Sequence, residues 1–78
     1  MQLIAVDCLF TEDGTIRVRR IKLEDRWLAV EQGRQWQDDG GRHVLVMLDG
    51  RLVLEIVLSS ETLAWELRTR QGSGTAVV

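Results

Sequence analysis

Apolar and polar residues alternate with a period of two along most of this chain, and short turn-forming clusters interrupt the alternation. Successive side chains of a strand point to opposite faces, so the pattern predicts half-buried β-strands. In residues 2–10, Ile4, Val6, Cys8 and Phe10 share one parity and fall on one face. After the turn TEDGT, residues 15–23 return as a second strand, but the alternation slips. Ile16 and Val18 have one parity, Ile21 and Leu23 the other. One extra residue at Arg19-Arg20 brings all four to the same face, as a β-bulge does. A three-residue loop, Glu12-Asp13-Gly14, then sets Phe10 against Ile16 and Cys8 against Val18, and the bulge lets Val6 and Ile4 meet Ile21 and Leu23.

Residues 26–32 predict a third strand that runs on through Gly33 to Trp36 and ends in the turn QDDGGR. Residues 42–48 and 51–58 are the longest apolar segments, joined at Asp49-Gly50. A three-residue loop, Leu48-Asp49-Gly50, gathers Val44, Val46, Leu52, Leu54 and Ile56 on one aliphatic face and sets His43 opposite Glu55 on the other. Unlike charges on one sheet face contribute a few tenths to about 1 kcal/mol. That second face also carries Leu45, Met47, Val53 and Val57. A sheet apolar on both sides either curls into a capped barrel or meets another subunit. Residues 61–68 alternate as a strand, with Leu63, Trp65 and Leu67 on one side; a helix capped by Ser60 and ended by Gly72 is the alternative.

Asp-Gly between apolar runs is a strong hairpin signal, because Gly takes positive φ freely and Asp tolerates it. Three such pairs, Asp13-Gly14, Asp39-Gly40 and Asp49-Gly50, occur in a chain of 78 residues without proline. Asp39-Gly40, with an extra Asp before and Gly after, is expected to be the loosest turn. The expected fold is all-β: one domain over residues 1–70, an antiparallel meander of five or six strands forming a strongly bent sheet or small open barrel. A flexible C-terminal tail is expected over 71–78.

Composition narrows the function classes. A domain this small is marginal alone and gains from a partner, metal or disulfide. The single cysteine, Cys8, rules out an internal disulfide and shares the parity of Val6 and Phe10, so it reads as a small core residue. Self-association is the external support that remains. Ten Lys/Arg against twelve Asp/Glu give a net charge of −2, with no global case for nucleic-acid binding. The apolar run from Leu3 stops at Asp7, without the charged leader of a signal peptide or the length of a membrane span, so a cytoplasmic location is expected.

Candidate chemistry is thin. Nucleophilic catalysis needs a nucleophile, a base and an orienting group, and neither the one His nor the one Cys lies in a recognised signature. His43 with Glu55 reads as a surface pair able to make stability pH-dependent rather than a catalytic dyad. Asp38-Asp39 reads as a solvated turn, and no metal or cofactor is expected. Arg17, Arg19, Arg20, Lys22 and Arg26 are half of all cations within ten residues; with Glu24 and Asp25 that stretch is net +3 and the rest −5. Phosphates can lie along such a strand with Trp27 or Trp36 as a stacking surface. The competing reading is an edge strand charged against aggregation, with Asp7 facing Arg19 or Arg20. The three tryptophans read first as core or rim residues. Trp36, expected to be the most exposed, forms with Arg34, His43 and Glu55 the candidate interaction site.

The order Trp27, Trp36, Gly41-Arg42-His43, Gly50, Glu55 and Trp65-Glu66-Leu67 resembles a small uncharacterised bacterial Trp-rich β domain. That domain occurs alone and as the tail of catalytically inactive homologues of the Y-family DNA polymerases. The resemblance covers roughly residues 14–68. The family usually has Tyr where this chain has His43 or Glu66. It implies a small antiparallel interaction module, with no catalytic residues to carry over. The expected function is a non-enzymatic interaction module with an unidentified protein partner, self-associating as a homodimer. Weak single-stranded nucleic-acid binding along residues 17–26 is the alternative.

Overall fold

Six extended segments build the fold, and two of them serve two sheets. The computed structural model describes residues 2–71, with side chains through residue 68. β1 (Gln2–Leu3) and β2 (Ala5–Phe10) are one segment bent at Ile4; β3 (Ile16–Leu23) follows. β4 (Arg26–Ala29) and β5 (Glu31–Asp38) are one segment bent at Val30; β6 (Gly41–Leu48), β7 (Leu52–Ser59) and β8 (Trp65–Gln71) complete the chain. One sheet has the order β1-β8-β7-β6-β5 and the other β2-β3-β4, with every pairing antiparallel. Each segment thus pairs with its neighbour in sequence, and the last returns to the first. The result is the expected all-β meander, strongly bent into an open barrel. No helix among the described residues is long and apolar enough to cross a membrane.

The bends correct the reading of residues 2–10 and 26–36 as unbroken strands. Ile4 donates its N–H to Trp65 O at 3.0 Å, and Val30 donates to Arg19 O at 3.2 Å. The backbone thereby stays paired while it passes from one sheet to the other. Ile4, drawn to β8, does not take the predicted place across from Leu23.

The core lies between the sheets. Ile16, Val18 and Ile21 of β3 face Val44, Val46 and Leu48 of β6 and Leu54 and Ile56 of β7, all buried. Burying one such side chain stabilises by roughly 1.5–3 kcal/mol. The bulge in β3 falls where the alternation slips. Asp7 pairs with Arg20 and Cys8 with Val18, leaving Arg19 over and turning Ile16, Val18 and Ile21 inward together. Phe10 pairs with Ile16 and Val6 with Ile21, as predicted. Cys8 packs half-buried on the core, and burial, then the Asp7 charge, raises its thiol pKa.

The turns need three corrections. The β6–β7 loop is Asp49-Gly50-Arg51, one residue later than predicted, because Leu48 pairs with Leu52. The parity is unchanged, so the aliphatic face stands. Asp39-Gly40 is a tight two-residue turn, since Asp38 pairs directly with Gly41. The slack lies instead at Gly33-Arg34, where Gln32 pairs with Val46 but Gln35 with Val44. Residues 61–64 are neither strand nor helix. Ser59 Oγ accepts from the N–H groups of Glu61 and Thr62, Leu63 sits at φ 60, and β8 starts at Trp65. Of the tail expected over 71–78, Gln71 ends β8 and the rest lies outside the described residues.

Candidate interaction site

The four residues singled out as an interaction site meet on the side of the five-stranded sheet turned away from the core. β5 supplies Arg34 and Trp36, β6 supplies His43 and β7 supplies Glu55. Trp36 pairs across the strands with His43. Its ring lies flat against the imidazole, with centroids 5.0 Å apart and an interplanar angle of 7°. The Arg34 guanidinium sits 5.2 Å from the centre of the Trp36 ring, a cation–π contact. The bulge at Gly33-Arg34 makes this possible, because it sends Gln32 and Gln35 inward and Arg34 and Trp36 outward.

His43 stands between two carboxylates. Its direct partner on β7 is Val57, which places Glu55 on the diagonal rather than opposite. The side chains still meet, with Nδ1 2.6 Å from Glu55 Oε2. Nε2 lies 2.8 Å from Asp38 Oδ1. A neutral imidazole has one N–H and one bare nitrogen, so it donates to only one of two ionised acceptors. Both contacts are satisfied when the ring is doubly protonated. Burial alone pulls the His43 pKa down, but the hydrogen bonds and charges of Glu55 and Asp38 outweigh it and leave the pKa raised. The hydrogen bond from His43, then that from Gly40 N–H, lowers the Asp38 pKa. His43 is only 6% exposed and the Glu55 side chain 18%, so this pair is more buried than the surface pair expected, while Asp38, 53% exposed, holds the ring from the solvent side.

Asp38 is solvated beside its turn, as expected, but it is also the second partner of His43, which was not expected. The signal lies in the turn length. A two-residue Asp39-Gly40 turn sets Asp38 on the same face as Trp36 and His43. Gly41 makes that turn fit: at φ +143, a Cβ there would stand 2.0 Å from Leu58 O. The carboxylates flank the ring instead of converging on a point. Among the described residues no three His, Cys, Asp or Glu side chains are grouped to hold a metal ion.

The basic cluster divides. Arg17, Arg20 and Lys22 point outward from β3, with Arg19 in the bulge and Arg26 at the start of β4. Arg20 Nε bonds Asp7 Oδ2 at 3.0 Å while its guanidinium lies 5.2 Å from the centre of the Trp27 ring. Lys22 stands 3.9 Å from Asp25. Trp27, 43% exposed, is the most exposed tryptophan, in place of Trp36. It pairs with Lys22 on the edge strand β4, whereas β5 pulls Trp36 down onto His43. Trp65 packs against the core.

No protein-family model, curated protein or solved structure matches the chain.

Proposed function

We propose that this protein is a non-enzymatic, cytoplasmic interaction module that self-associates as a homodimer through the outer side of its five-stranded sheet. The carrying observation is that Leu45, Met47 and Val53 stand only half-buried there, outside the core, beside the Trp36–His43–Glu55 cluster. A second copy facing this side across a two-fold axis covers the same residues on both chains. Arg34 on β5 and Glu66 on β8 carry opposite charges on that side, and neither is in an ion pair among the described residues. An axis along the strands brings the β5 edge of one copy toward the β8 side of the other, so the charges complement. Both nitrogens of His43 are occupied by carboxylates, which supports a structural rather than catalytic role. The resemblance to the Trp-rich β domain points the same way.

Sedimentation equilibrium from low to high micromolar concentration tests the reading. A dimer is expected, and Val53→Lys is expected to return it to monomer with the circular dichroism spectrum unchanged. A clean monomer at high micromolar concentration removes the proposal.

Weak single-stranded nucleic-acid binding is the second reading, favoured by exposed Trp27 on the same outward face as Arg17, Arg20 and Lys22. Its test is oligothymidylate affinity that falls with salt and is lost on replacing Arg17, Arg19 and Arg20 by Ala.

A further inference from the structure

One strand edge in this fold is closed by side chains where a strand would be expected. β4 pairs with β3 only from Arg20 to Leu23, and β5 belongs to the other sheet. On that side, among the described residues, the first half of β3 has no strand neighbour. Two glutamines from β5 fill the place. Gln35 Oε1 accepts from Ile16 N–H at 3.1 Å, and Gln32 Oε1 accepts from Val18 N–H at 2.6 Å. Both Nε2 groups donate to Ile16 O at 2.8 Å. A side-chain amide carries the same donor and acceptor types as a peptide unit, so the pair stands in for the backbone of an absent strand. Beside it runs an open groove of about 730 Å³, lined by residues 15–19, Val30 and the two glutamines with Gly33 between them. Arg17 and Arg19 are exposed along it and are in no ion pair among the described residues, whereas Arg20 and Lys22 have carboxylate partners.

We infer that this seam binds an extended acidic peptide by strand addition. The peptide backbone takes over the Ile16 and Val18 groups now held by Gln32 and Gln35, and its Asp or Glu side chains meet Arg17 and Arg19. Exchanging side-chain amides for a backbone ladder keeps Ile16 and Val18 paired, and it requires β5 to draw back from β3 so that the glutamines release the edge. Charge selects the partner, because Arg17 and Arg19, in no ion pair among the described residues, flank this edge. Nucleic acid fits this groove less well. Its wall offers peptide N–H and C=O groups, and none of the three tryptophans lines it to stack a base. This site is separate from the proposed dimer surface, which lies on the outer side of the other sheet.

The probe is a fluorescein-labelled ETEVETEV peptide, titrated with the full chain and read by anisotropy. Saturable binding is expected, at least about tenfold weaker for three comparisons. These are the same peptide N-methylated at alternate backbone positions, its Lys-for-Glu counterpart, and the Arg17→Glu/Arg19→Glu protein. The side-chain NH₂ signals of Gln32 and Gln35 are expected to shift in the NMR spectrum during the titration, which needs no variant. Val53→Lys is expected to leave the binding unchanged, so loss of the dimer and loss of this site are told apart. Equal affinity for the N-methylated peptide, full competition by oligothymidylate, or no saturable binding overturns the inference. So does Arg17→Glu/Arg19→Glu abolishing dimerisation while the peptide fails to bind, since the occupant is then a second copy.

Discussion

The two sheets handle outward-facing charge in opposite ways. On the five-stranded sheet, His43 is 6% exposed, covered by Trp36 and bonded to a Glu55 side chain 18% exposed, with Asp38 at the solvated rim. On the three-stranded sheet, the Arg20–Asp7 pair stands in water with side chains 52% and 35% exposed. β5, β6 and β7 each span eight residues in close register, so diagonal neighbours such as His43 and Glu55 reach each other under an aromatic cover. β4 has four residues, and among the described residues no strand lies beyond it in the sheet. A pair removed from water interacts strongly and leaves a costly orphan when broken, whereas an exposed pair is screened. The contrast separates a structural cluster from a solvated surface, although both read as mixed charge in sequence.

The largest break in this contrast is expected at Gly41. A Cβ there meets the Leu58 carbonyl, which the β6–β7 ladder holds in place. Gly41→Ala is expected to cost about 3 kcal/mol or more in urea unfolding, a combination of clash and backbone strain. It should also loosen the turn that delivers Asp38 to His43, so the His43 signals should move toward those of a free histidine. A loss below about 1 kcal/mol would mean that β7 yields easily there, and that the cluster does not depend on a rigid turn.

His43 comes next. His43→Phe keeps a ring for Trp36 to stack on but removes both hydrogen bonds, with an expected loss of about 2 kcal/mol near pH 6. The pH dependence has a definite sign. A raised His43 pKa contributes stability that is fully present below its ordinary value of 6.5 and is lost as pH rises through the folded value. The lowered Asp38 pKa contributes stability present above 3.8 and lost as pH falls through its folded value. Thermal melts of the wild type should therefore peak between about pH 4 and pH 6.5 and fall toward pH 9. The decline between about pH 6.5 and pH 8 should be absent in His43→Phe, since Cys8, with its raised thiol pKa, acts only nearer its ordinary value of 9.0. A wild-type Tm that holds level from pH 6 to pH 9 contradicts a charged His43.

How legible each region was follows the same division. The β2–β3 register was readable because two irregularities, the Asp13-Gly14 loop and the Arg19 bulge, had to cancel for Ile16, Val18 and Ile21 to share a face. The inward side of β6 and β7 was readable because parity survives a loop displaced by one residue. The bends at Ile4 and Val30 were not, since alternation reports the two sides of a strand and not the sheet to which its edge belongs. Trp36, Arg34, His43 and Glu55 were identified together from residue type. Asp38 escaped because Asp-Asp-Gly-Gly suggests a loose loop, and its partner becomes visible only once the turn is known to hold two residues. Gln32 and Gln35 carried no signal at all: their role depends on β3 lacking a neighbour, a property of topology.

The three-stranded sheet offers a gain where the other offers losses. Glu24 and Asp25, at φ 51 and 68, form a two-residue turn with both residues in the left-handed region, where Asn-Gly is strongly preferred. Glu24→Asn with Asp25→Gly should stabilise by about 1 kcal/mol through relief of that strain. The 3.9 Å contact of Lys22 with Asp25 is lost, but a pair this exposed offsets little of the gain. Unchanged or lower stability in urea unfolding would mean that the ion pair, and not the turn backbone, holds the β3–β4 hairpin.

The smallest effect gives the sharpest comparison. In a double-mutant cycle of Asp7→Ala and Arg20→Ala, the coupling should be below about 0.5 kcal/mol and should shrink further in high salt. Arg20→Ala alone should cost somewhat more than Asp7→Ala, because it also removes the contact with Trp27, and salt should leave that excess nearly untouched. The equivalent cycle of His43→Phe with Glu55→Gln should give a coupling several times larger that salt screens weakly. If the Asp7–Arg20 coupling instead exceeds about 1.5 kcal/mol, well outside the range for exposed pairs, the outer side of the small sheet is less open to solvent than its exposed side chains indicate. A cover over β2 and β3, such as a second copy bound there in solution, would then have to be sought on that face.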